Sequence, residues 1–472
     1  MKKKRLILIL TALLIGTSSM LAEAITDSLV SNYGNWMNLT NGYSDWHSGY
    51  PQKMEVAIDG NTIHLYWMDG NVSSDNTVKV WYRRSTDLGK TWENAHVLLT
   101  THWRSLLNAN NKLMSVSNGR VHFAVLDEEE SLASVVYLRS NDGGANFSQP
   151  QTIKKMEDWY HSLSNVQIAS DGDMVVIAAS HNRDNNVTYF VSKDYGKSFT
   201  DHTEKYEPGA DPSNGILYDL QVSGGKWASM YNIQGVGYSR YEHGELFITT
   251  SDGSNITKTQ VAPLQSDGMP HAELNYFGYN NYHPQMAIVG NTIHLMYRGA
   301  QPNSSEIGDR KHMLYQKSTD FGKTWANAYS LPASEDGQGM IAAKGQNVYI
   351  LTSETGFRRA IYYSHDGGDT WNIQDQCNWP NNSGVNNPNN YYSLSIAPDD
   401  PSGNHVYFTG SRYFYEETKD GFKSIKRNSV LGSEVYYGGD NYCLMVMGDQ
   451  NGQEHWFMQL SKPGLIKDGA GI

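Results

Sequence analysis

The chain has 472 residues, of which 39% are hydrophobic, and its formal net charge is −12 at pH 7. No stretch beyond the N-terminal region is apolar enough to cross a bilayer, and an acidic chain without a basic stripe is not expected to bind nucleic acid. Two cysteines, Cys377 and Cys443, are too few for a disulfide framework, and the sequence leaves open whether they pair.

The first residues have the pattern of a secretory signal peptide. Residues 2–5 are basic, residues 6–15 form an apolar run, and Ala22-Glu23-Ala24 is a small-x-small cleavage site. The apolar run is too short to span a membrane. The sequence therefore predicts a signal peptide over residues 1–24 and one domain over residues 25–472, secreted or periplasmic.

A turn motif, called here the Asp-box, returns along the chain as Ser/Thr-x-Asp-x-Gly-x-x-aromatic. The clean copies contain Asp87, Asp142, Asp194, Asp320 and Asp366. Two degenerate copies of the motif contain Asp252 and Asp420. An eighth, more distant copy has Asn32 in the aspartate position. Successive copies are about 55 residues apart, a period that indicates a repeat architecture.

The residue types of the Asp-box suit a hairpin turn. The aspartate can accept backbone N–H groups across the turn, and the glycine can adopt a positive φ. The final Trp or Phe is predicted to pack as an apolar plug against its own sheet. Each box is therefore interpreted as an element of the fold, not as a functional site.

Four strands are predicted around each box. Before Asp87, the strings KMEVAID, NTIHLYW and NTVKVWYRRS alternate with period two, and a fourth strand follows the box. Four antiparallel strands per repeat are typical of a propeller blade. The sequence predicts an all-β single β-propeller with eight blades, or alternatively seven, in which residues 26–40 pair with the C-terminal hairpin to close the ring.

These boxes resemble the Asp-boxes of the sialidase-like (BNR repeat) propellers over nearly the whole mature chain. The resemblance implies that the boxes mark the bottom face, opposite the active face. The top face is then built from the start of each first strand and from the link between the second and third strands. Sialidases carry an arginine in a Phe/Tyr-Arg-Ile-Pro motif, whereas this chain has Tyr50-Pro51-Gln52 there. Its site composition is more similar to that of propeller-type polysaccharide lyases, including ulvan lyases.

Aromatic, basic and histidine side chains are frequent in the segments predicted for the top face. The substrate-binding candidates are Trp46, His47, His102, Arg104, Trp159, Arg183, Tyr282, His283 and Arg298. Aromatic rings can stack on sugar faces, and arginines pair with carboxylates or sulfates. A different group of histidines recurs in the second strands and is interpreted as architectural: His64, His122, His294 and His405.

Four residues are candidates for catalysis. His161 and His181 come from the start of the first strand and the end of the second strand of one blade, and they are predicted to act as acid and base. Arg240, with Tyr238 beside it, is predicted to bind a substrate carboxylate through its planar fork. Structural roles stay open for each, including an ion pair of Arg240 with Glu242.

This composition favours a lyase that cleaves an acidic, uronate-containing polysaccharide or oligosaccharide by β-elimination. The alternatives are an exo-α-sialidase or another glycoside hydrolase, and a non-catalytic glycan-binding propeller. Hydrolysis normally uses two carboxyl groups. The carboxyl candidates are Asp69, Asp127, Glu128, Glu242 and Glu354, and no motif singles one out.

The predicted chemistry requires no cofactor. A structural zinc or calcium ion stays open, although close metal-ligand spacings such as HxxxH or CxxC do not occur in the sequence. The predicted protein is a monomer whose partner is an acidic glycan, with no nucleic acid and no membrane span.

Overall fold

The computed structural model describes most strands and many of the turns between them. The described residues are 37–38, 53–59, 61–70, 77–87, 91–102, 112–129, 132–156, 163–181, 185–206, 215–234, 244–261, 285–299, 312–331, 339–354, 358–374, 393–396, 402–404, 406–411, 414–418, 426–429, 434–438, 443–450 and 453–460. Within these ranges the chain forms 32 strands, arranged in eight four-stranded antiparallel sheets. The predicted signal peptide lies outside the described residues.

The first strand, β1 (Met37–Asn38), belongs to the last sheet, and the other sheets each contain four consecutive strands. Blade 1 contains β2 (Lys53–Asp59), β3 (Thr62–Gly70), β4 (Val78–Ser85) and β5 (His96–Thr101). Blade 2 contains β6 (Met114–Ser117), β7 (Arg120–Glu129), β8 (Leu132–Ser140) and β9 (Gln151–Lys155). Blade 3 contains β10 (Leu163–Asp171), β11 (Met174–His181), β12 (Asn186–Ser192) and β13 (Thr200–Lys205). Blade 4 contains β14 (Gly215–Ser223), β15 (Lys226–Gln234), β16 (Gly244–Ser251) and β17 (Ile256–Gln260).

The second half of the chain repeats this order. Blade 5 contains β18 (Gln285–Val289), β19 (Thr292–Gly299), β20 (His312–Ser318) and β21 (Tyr329–Ser330). Blade 6 contains β22 (Gly339–Lys344), β23 (Asn347–Glu354), β24 (Arg358–Ser364) and β25 (Asn372–Gln374). Blade 7 contains β26 (Ser393–Ile396), β27 (Val406–Ser411), β28 (Phe414–Thr418) and β29 (Lys426–Ser429). Blade 8 contains β30 (Glu434–Gly438), β31 (Cys443–Gln450) and β32 (Gln453–Leu460), with β1 as its fourth strand.

The two ends of the chain meet in blade 8. Met37 lies opposite Met458 and Asn38 lies opposite Phe457 in the β1–β32 pair. From blade 1 to blade 7 the first strands of consecutive sheets pack on one another, and β2 also packs against β30. The prediction of an all-β propeller with four-stranded antiparallel blades is confirmed, and the eight described sheets match the favoured blade number.

The Asp-box turn is held by hydrogen bonds to one carboxylate. In blade 2, the Ser140 hydroxyl donates to Asp142 Oδ1 at 2.6 Å, and Asn146 donates to both carboxylate oxygens through its backbone and side chain. The Gly144 N–H closes the loop onto Ser140 Oγ at 2.8 Å. The bonds from Ser140 and then Asn146 hold the pKa of Asp142 at about 2.

The Asp-box aromatic of blade 2 packs on its own sheet, as predicted, since the ring centroid of Phe147 lies 5.9 Å from that of Phe123 in β7. The box aromatics also contact the preceding blade. Phe147 of the blade 2 box packs edge-on against Tyr82 of blade 1, with 5.0 Å between ring centroids. Phe199 of blade 3 packs against Tyr137 of blade 2 in the same way. The turn projects sideways towards the preceding blade, so its apolar ring buries more surface between the sheets.

Cationic side chains add a second link between neighbouring boxes. Arg84, Arg139 and Lys317 each stand directly before the serine of their own box. Their donor groups reach backbone carbonyls in the box of the next blade, those of Gly143, Tyr195 and Gly367 respectively. The box thus joins blades as well as closing hairpins, and this bridge is called here the strut.

The second-strand histidines complete the contact between blades. The Nδ1 atoms of His64, His122 and His294 each lie 2.7 Å from the hydroxyl of a third-strand tyrosine, and all three imidazoles are buried. Burial lowers the pKa of each imidazole to about 4. These contacts support the architectural interpretation of the three histidines, while His405 lies outside the described residues.

Candidate functional site

The two faces of the propeller are defined by the strand ends. In blades 2, 3, 5 and 6 the first hairpin turn and the box share one end, as shown in blade 2 by the Gly143 N–H that donates to the Gly119 carbonyl at 2.8 Å. This end is the bottom face. The ends of the second and fourth strands lie at the opposite end, which is the top face, so His102 and His181 belong to it.

Three of the predicted site residues fall in described positions. The side chains of His102 and His181 are described, and Arg298 is placed by its backbone near the end of β19, opposite Met313. The other candidates lie outside the described residues: Trp46, His47, Arg104, Trp159, His161, Arg183, Tyr238, Arg240, Tyr282 and His283. Their proposed meeting on the top face stays a prediction.

His181 is fixed at the top edge of blade 3. It is the last residue of β11, lies opposite Leu163, and keeps 8% of its surface exposed. Its Nε2 lies 2.9 Å from Thr188 Oγ1, which lies 2.9 Å from Thr203 Oγ1. This chain of hydroxyl groups crosses the third and fourth strands of the blade, so it holds the imidazole in one orientation.

His102 lies at the junction of blades 1 and 2. Asp127 Oδ1 accepts the backbone N–H of His102 at 2.9 Å and lies 3.3 Å from Nδ1 of the same residue. Thr101 Oγ1 donates to the Leu126 carbonyl at 2.7 Å and also approaches Asp127 Oδ1 at 3.2 Å. Because the Asp127 carboxylate is held by the backbone N–H of His102, the imidazole of His102 is oriented with Nδ1 towards the carboxylate. The His102 side chain remains 47% exposed.

Close packing joins blades 3 and 4 where β12 and β14 begin. Asn185 is fully buried with φ of 48°, and its carbonyl accepts the Tyr206 N–H at 3.0 Å. A Cβ at Gly215 would lie 2.9 Å from Asn185 Oδ1 and 1.6 Å from the Tyr231 hydroxyl. Only glycine fits at this position, so the two side chains converge directly over the backbone of β14.

Asp219 is a titratable group on the first strand of blade 4 that the sequence did not single out. Removal from water raises the pKa of its carboxyl group, although Lys112 opposes this electrostatically. Gln221 Nε2 donates to Asp219 Oδ2 at 2.7 Å and to the Met286 carbonyl at 2.6 Å. The bond to Met286 ties blade 4 to blade 5 beside a carboxyl group whose pKa is raised by burial.

The sequence alone gave little indication that Asp127, Asn185 and Asp219 lie near the predicted site residues or between blades. Asp127 was one of several carboxyl candidates, and nothing in its local string indicated a contact with a histidine in the preceding blade. Asn185 and Asp219 lacked any motif. Such contacts arise between strands of different blades, and they therefore require the register of the folded sheets.

Within the described ranges, no cluster of three or more His, Cys, Asp or Glu side chains is arranged to hold a metal ion. The described part of the chain also contains no helix long and apolar enough to cross a membrane.

The family comparison agrees with the fold. Residues 46–276 match the BNR repeat-like domain family, a region that extends from before β2 to beyond β17. No curated protein has a sequence that matches the chain significantly. Over residues 46–276, the family match confirms the resemblance to the sialidase-like BNR-repeat propellers that the Asp-boxes indicate.

Three solved structures illustrate the likeness. The polysaccharide lyase Uly1 is 12% identical, with a TM-score of 0.47 over 91% of this chain and 94% of that chain. The β-propeller domain of the Trilobed protease from Pyrococcus furiosus is 10% identical, with a TM-score of 0.40 over 79% and 97%. The Trypanosoma rangeli sialidase is 14% identical, with a TM-score of 0.35 over 65% and 56%. At these identities the likeness concerns the fold alone.

Proposed function

We propose that this BNR-repeat propeller is a secreted carbohydrate-active enzyme that degrades an acidic, uronate-containing polysaccharide by β-elimination. The observation that carries the proposal is His102, a half-exposed imidazole that Asp127 orients on the top face. His181 adds a second oriented imidazole on the same face. Oriented imidazoles are suited to bind acidic sugars and to transfer protons near neutral pH.

The reaction requires three kinds of group. A cation on the C5 carboxylate makes the neighbouring C–H acidic, a base removes the C5 proton, and an acid protonates the leaving oxygen. The C5–H electron pair becomes the C4–C5 double bond as the C4–O bond breaks. No water, cofactor or oxidant is consumed, so the chemistry is complete with amino-acid side chains.

We assign these roles to the residues that the sequence singled out. Arg240 binds the carboxylate, with Tyr238 beside it, because a guanidinium can form two parallel hydrogen bonds to it. His161 and His181 act as the acid–base pair. The Thr188 hydroxyl at Nε2 of His181 holds the imidazole in one orientation.

His102 has a binding role in this proposal. Asp127 engages the Nδ1 side of the ring, so Nε2 is the nitrogen that can meet a sugar hydroxyl or acid group. Asp127 itself accepts backbone and side-chain donors on Oδ1. It is therefore placed as a positioning group for His102 and not as one of the two carboxyl groups of a hydrolase.

The purified protein can be tested against ulvan, pectic glycans and sialylated glycans. β-Elimination creates an unsaturated uronate, and its near-ultraviolet absorbance should rise with time on one of the uronate substrates. Release of free sialate would show a sialidase instead, and binding without any product would show a glycan-binding propeller. Either result would overturn the proposal.

A further inference from the structure

A cleft of about 310 Å³ opens on the bottom face between blades 4 and 5. Its walls come from the hairpin turns of blade 4 and from the first hairpin turn and the box of blade 5. Thr250 and Phe321 form its floor, with 3% and 4% of their surfaces exposed. Asn291, in the first hairpin turn of blade 5, is exposed at the mouth.

The cleft lies where the strut between neighbouring boxes is missing. Blades 1, 2 and 5 place an arginine or lysine directly before the box serine, whereas blade 4 places Thr250 before Ser251. In blade 3 the corresponding residue is Val191, but Lys193 donates to the Gly253 carbonyl of blade 4 instead. Thr250 has no cationic arm, and its methyl group packs beside Gly322 in the box of blade 5, so the strut of blades 1, 2 and 5 is absent at this position.

Lys226 takes a different path at this junction. Its Nζ donates to Asn291 Oδ1 at 2.5 Å and lies 5.2 Å from the centre of the Phe321 ring. The ammonium group therefore links blade 4 to the first hairpin turn of blade 5 beside the cleft.

The shortened box of blade 4 supplies the opposite wall. In the clean boxes, the residue four positions after the aspartate donates its side chain to Oδ2, as Thr324 does to Asp320 at 2.6 Å. In blade 4 that position is Ile256, which has no donor. Asp252 uses Oδ1 for the backbone N–H groups of Ser254 and Asn255, and its Oδ2 lies 3.9 Å from Lys323 Nζ.

The charges of the lining select the kind of ligand. Two carboxylates, Asp252 and Asp320, face two ammonium groups, Lys226 and Lys323, so the formal charges cancel. Neither a simple anion nor a simple cation is favoured by such a lining. Apart from the Phe321 ring, the remaining side chains carry amides or threonine hydroxyls, which both donate and accept hydrogen bonds.

We infer that this cleft binds one neutral sugar residue of a glycan through its hydroxyl groups. Hydroxyl groups match a lining that offers donors and acceptors without net charge, and a volume near the lower end of ligand pockets suits one ring. The site is separate from the top face and takes no part in bond cleavage. It would hold a glycan chain to the protein independently of the chemistry proposed above.

Threonine methyl groups provide a direct test. In protein with labelled threonine methyls, methyl glucoside, methyl galactoside and methyl glucuronide are titrated separately, and the methyl resonances of Thr250 and Thr257 are followed by NMR. A neutral glycoside should give saturable shifts at both methyls, with weaker binding of the glucuronide. No saturable shift with any probe, or saturation by the glucuronide alone, would overturn the inference.

Substitutions in the lining of the cleft test whether the glycoside binds there. Thr250→Arg restores the missing strut and should abolish the shift at the Thr257 methyl. Because Asn291 is exposed, the Asn291→Ala variant should fold normally. It should bind the glycoside about tenfold more weakly, since one hydrogen-bonding group is removed. Lys323→Ala should also weaken binding, whereas Lys154→Ala is a matched control, since that exposed lysine forms a similar ion pair with Asp201 on blade 3. Unchanged affinity in both Thr250→Arg and Asn291→Ala would contradict the site.

Discussion

The hydroxyl group of Tyr137 in blade 2 fills the space beside Gly196 in the box of blade 3. A Cβ built at Gly196 would lie 1.9 Å from that hydroxyl oxygen. The same hydroxyl lies 2.7 Å from His122 Nδ1, so the tyrosine cannot move aside without breaking a buried hydrogen bond. Histidine, tyrosine and glycine thus form one contact between two blades, and blades 1 and 5 repeat it towards Gly144 and Gly368.

Gly196→Ala should therefore be strongly destabilising. Its φ of 74° is strained for alanine, and the methyl group would collide with Tyr137, so we expect a loss of about 3 kcal/mol in the free energy of unfolding. Gly172→Ala is the matched control, because Gly172 also has a positive φ but has no atom within 4 Å of its Cβ position. That variant should lose only about 1 kcal/mol, and equal losses in urea denaturation would contradict the contact.

Stability should fall in mild acid because of the buried histidines. Unfolding returns the pKa of His122 from about 4 to 6.5, so the unfolded state binds more protons between these two values. The free energy of unfolding should decrease as the pH falls from 6.5 to 4, by up to about 3 kcal/mol for one such histidine. His64 and His294 add losses in the same direction and the same window.

Removal of one buried imidazole tests this pH dependence. His122→Asn should reduce the slope of unfolding free energy against pH in that window, whatever it costs in absolute stability. His202→Asn is the control, because His202 lies on the exposed outer strand of blade 3. An unchanged slope in His122→Asn would show that another group causes the acid sensitivity.

Arg139 tests the strut between boxes. Its guanidinium donates to the Tyr195 carbonyl at 2.6 Å, so Arg139→Ala should cost about 2 kcal/mol in thermal or urea unfolding. Arg139→Lys should recover most of this loss, since Lys317 makes the equivalent bond to the Gly367 carbonyl at 2.9 Å. If the lysine variant is as unstable as the alanine variant, the strut depends on more than one hydrogen bond from a cation.

Asp127→Asn tests the proposed binding role of His102. The amide oxygen can still accept the His102 N–H, so the blade junction should persist, but the charge that orients the imidazole is lost. We expect KM for a uronate substrate to rise about tenfold with little change in kcat. Glu204→Gln is the control, because it alters a similar pair with His202 on the outer strand of blade 3. A fall in kcat at constant KM would place His102 in the chemical step instead.

Local patterns were sufficient to predict the architecture. The segments before Asp87 that alternate with period two form β2, β3 and β4, and the spacing of the repeated boxes predicted the length of a blade. The contact of Phe147 with the preceding blade was not predictable, because one sequence does not reveal which sheet lies beside a turn. The same reason explains why Asp127 was not connected to His102. Both contacts are between blades, and the strand pattern describes only what happens within a blade.

The most direct test of the proposed elimination is mass spectrometry of the products formed in water labelled with heavy oxygen. β-Elimination breaks the C4–O bond without water, so the fragment that bears the new unsaturated uronate should be lighter by one water than its hydrolysis counterpart, and neither fragment should gain label during cleavage. Uronate-bearing fragments without this mass loss, together with heavy oxygen incorporated at the new reducing end during cleavage, would show hydrolysis and would contradict the proposed elimination.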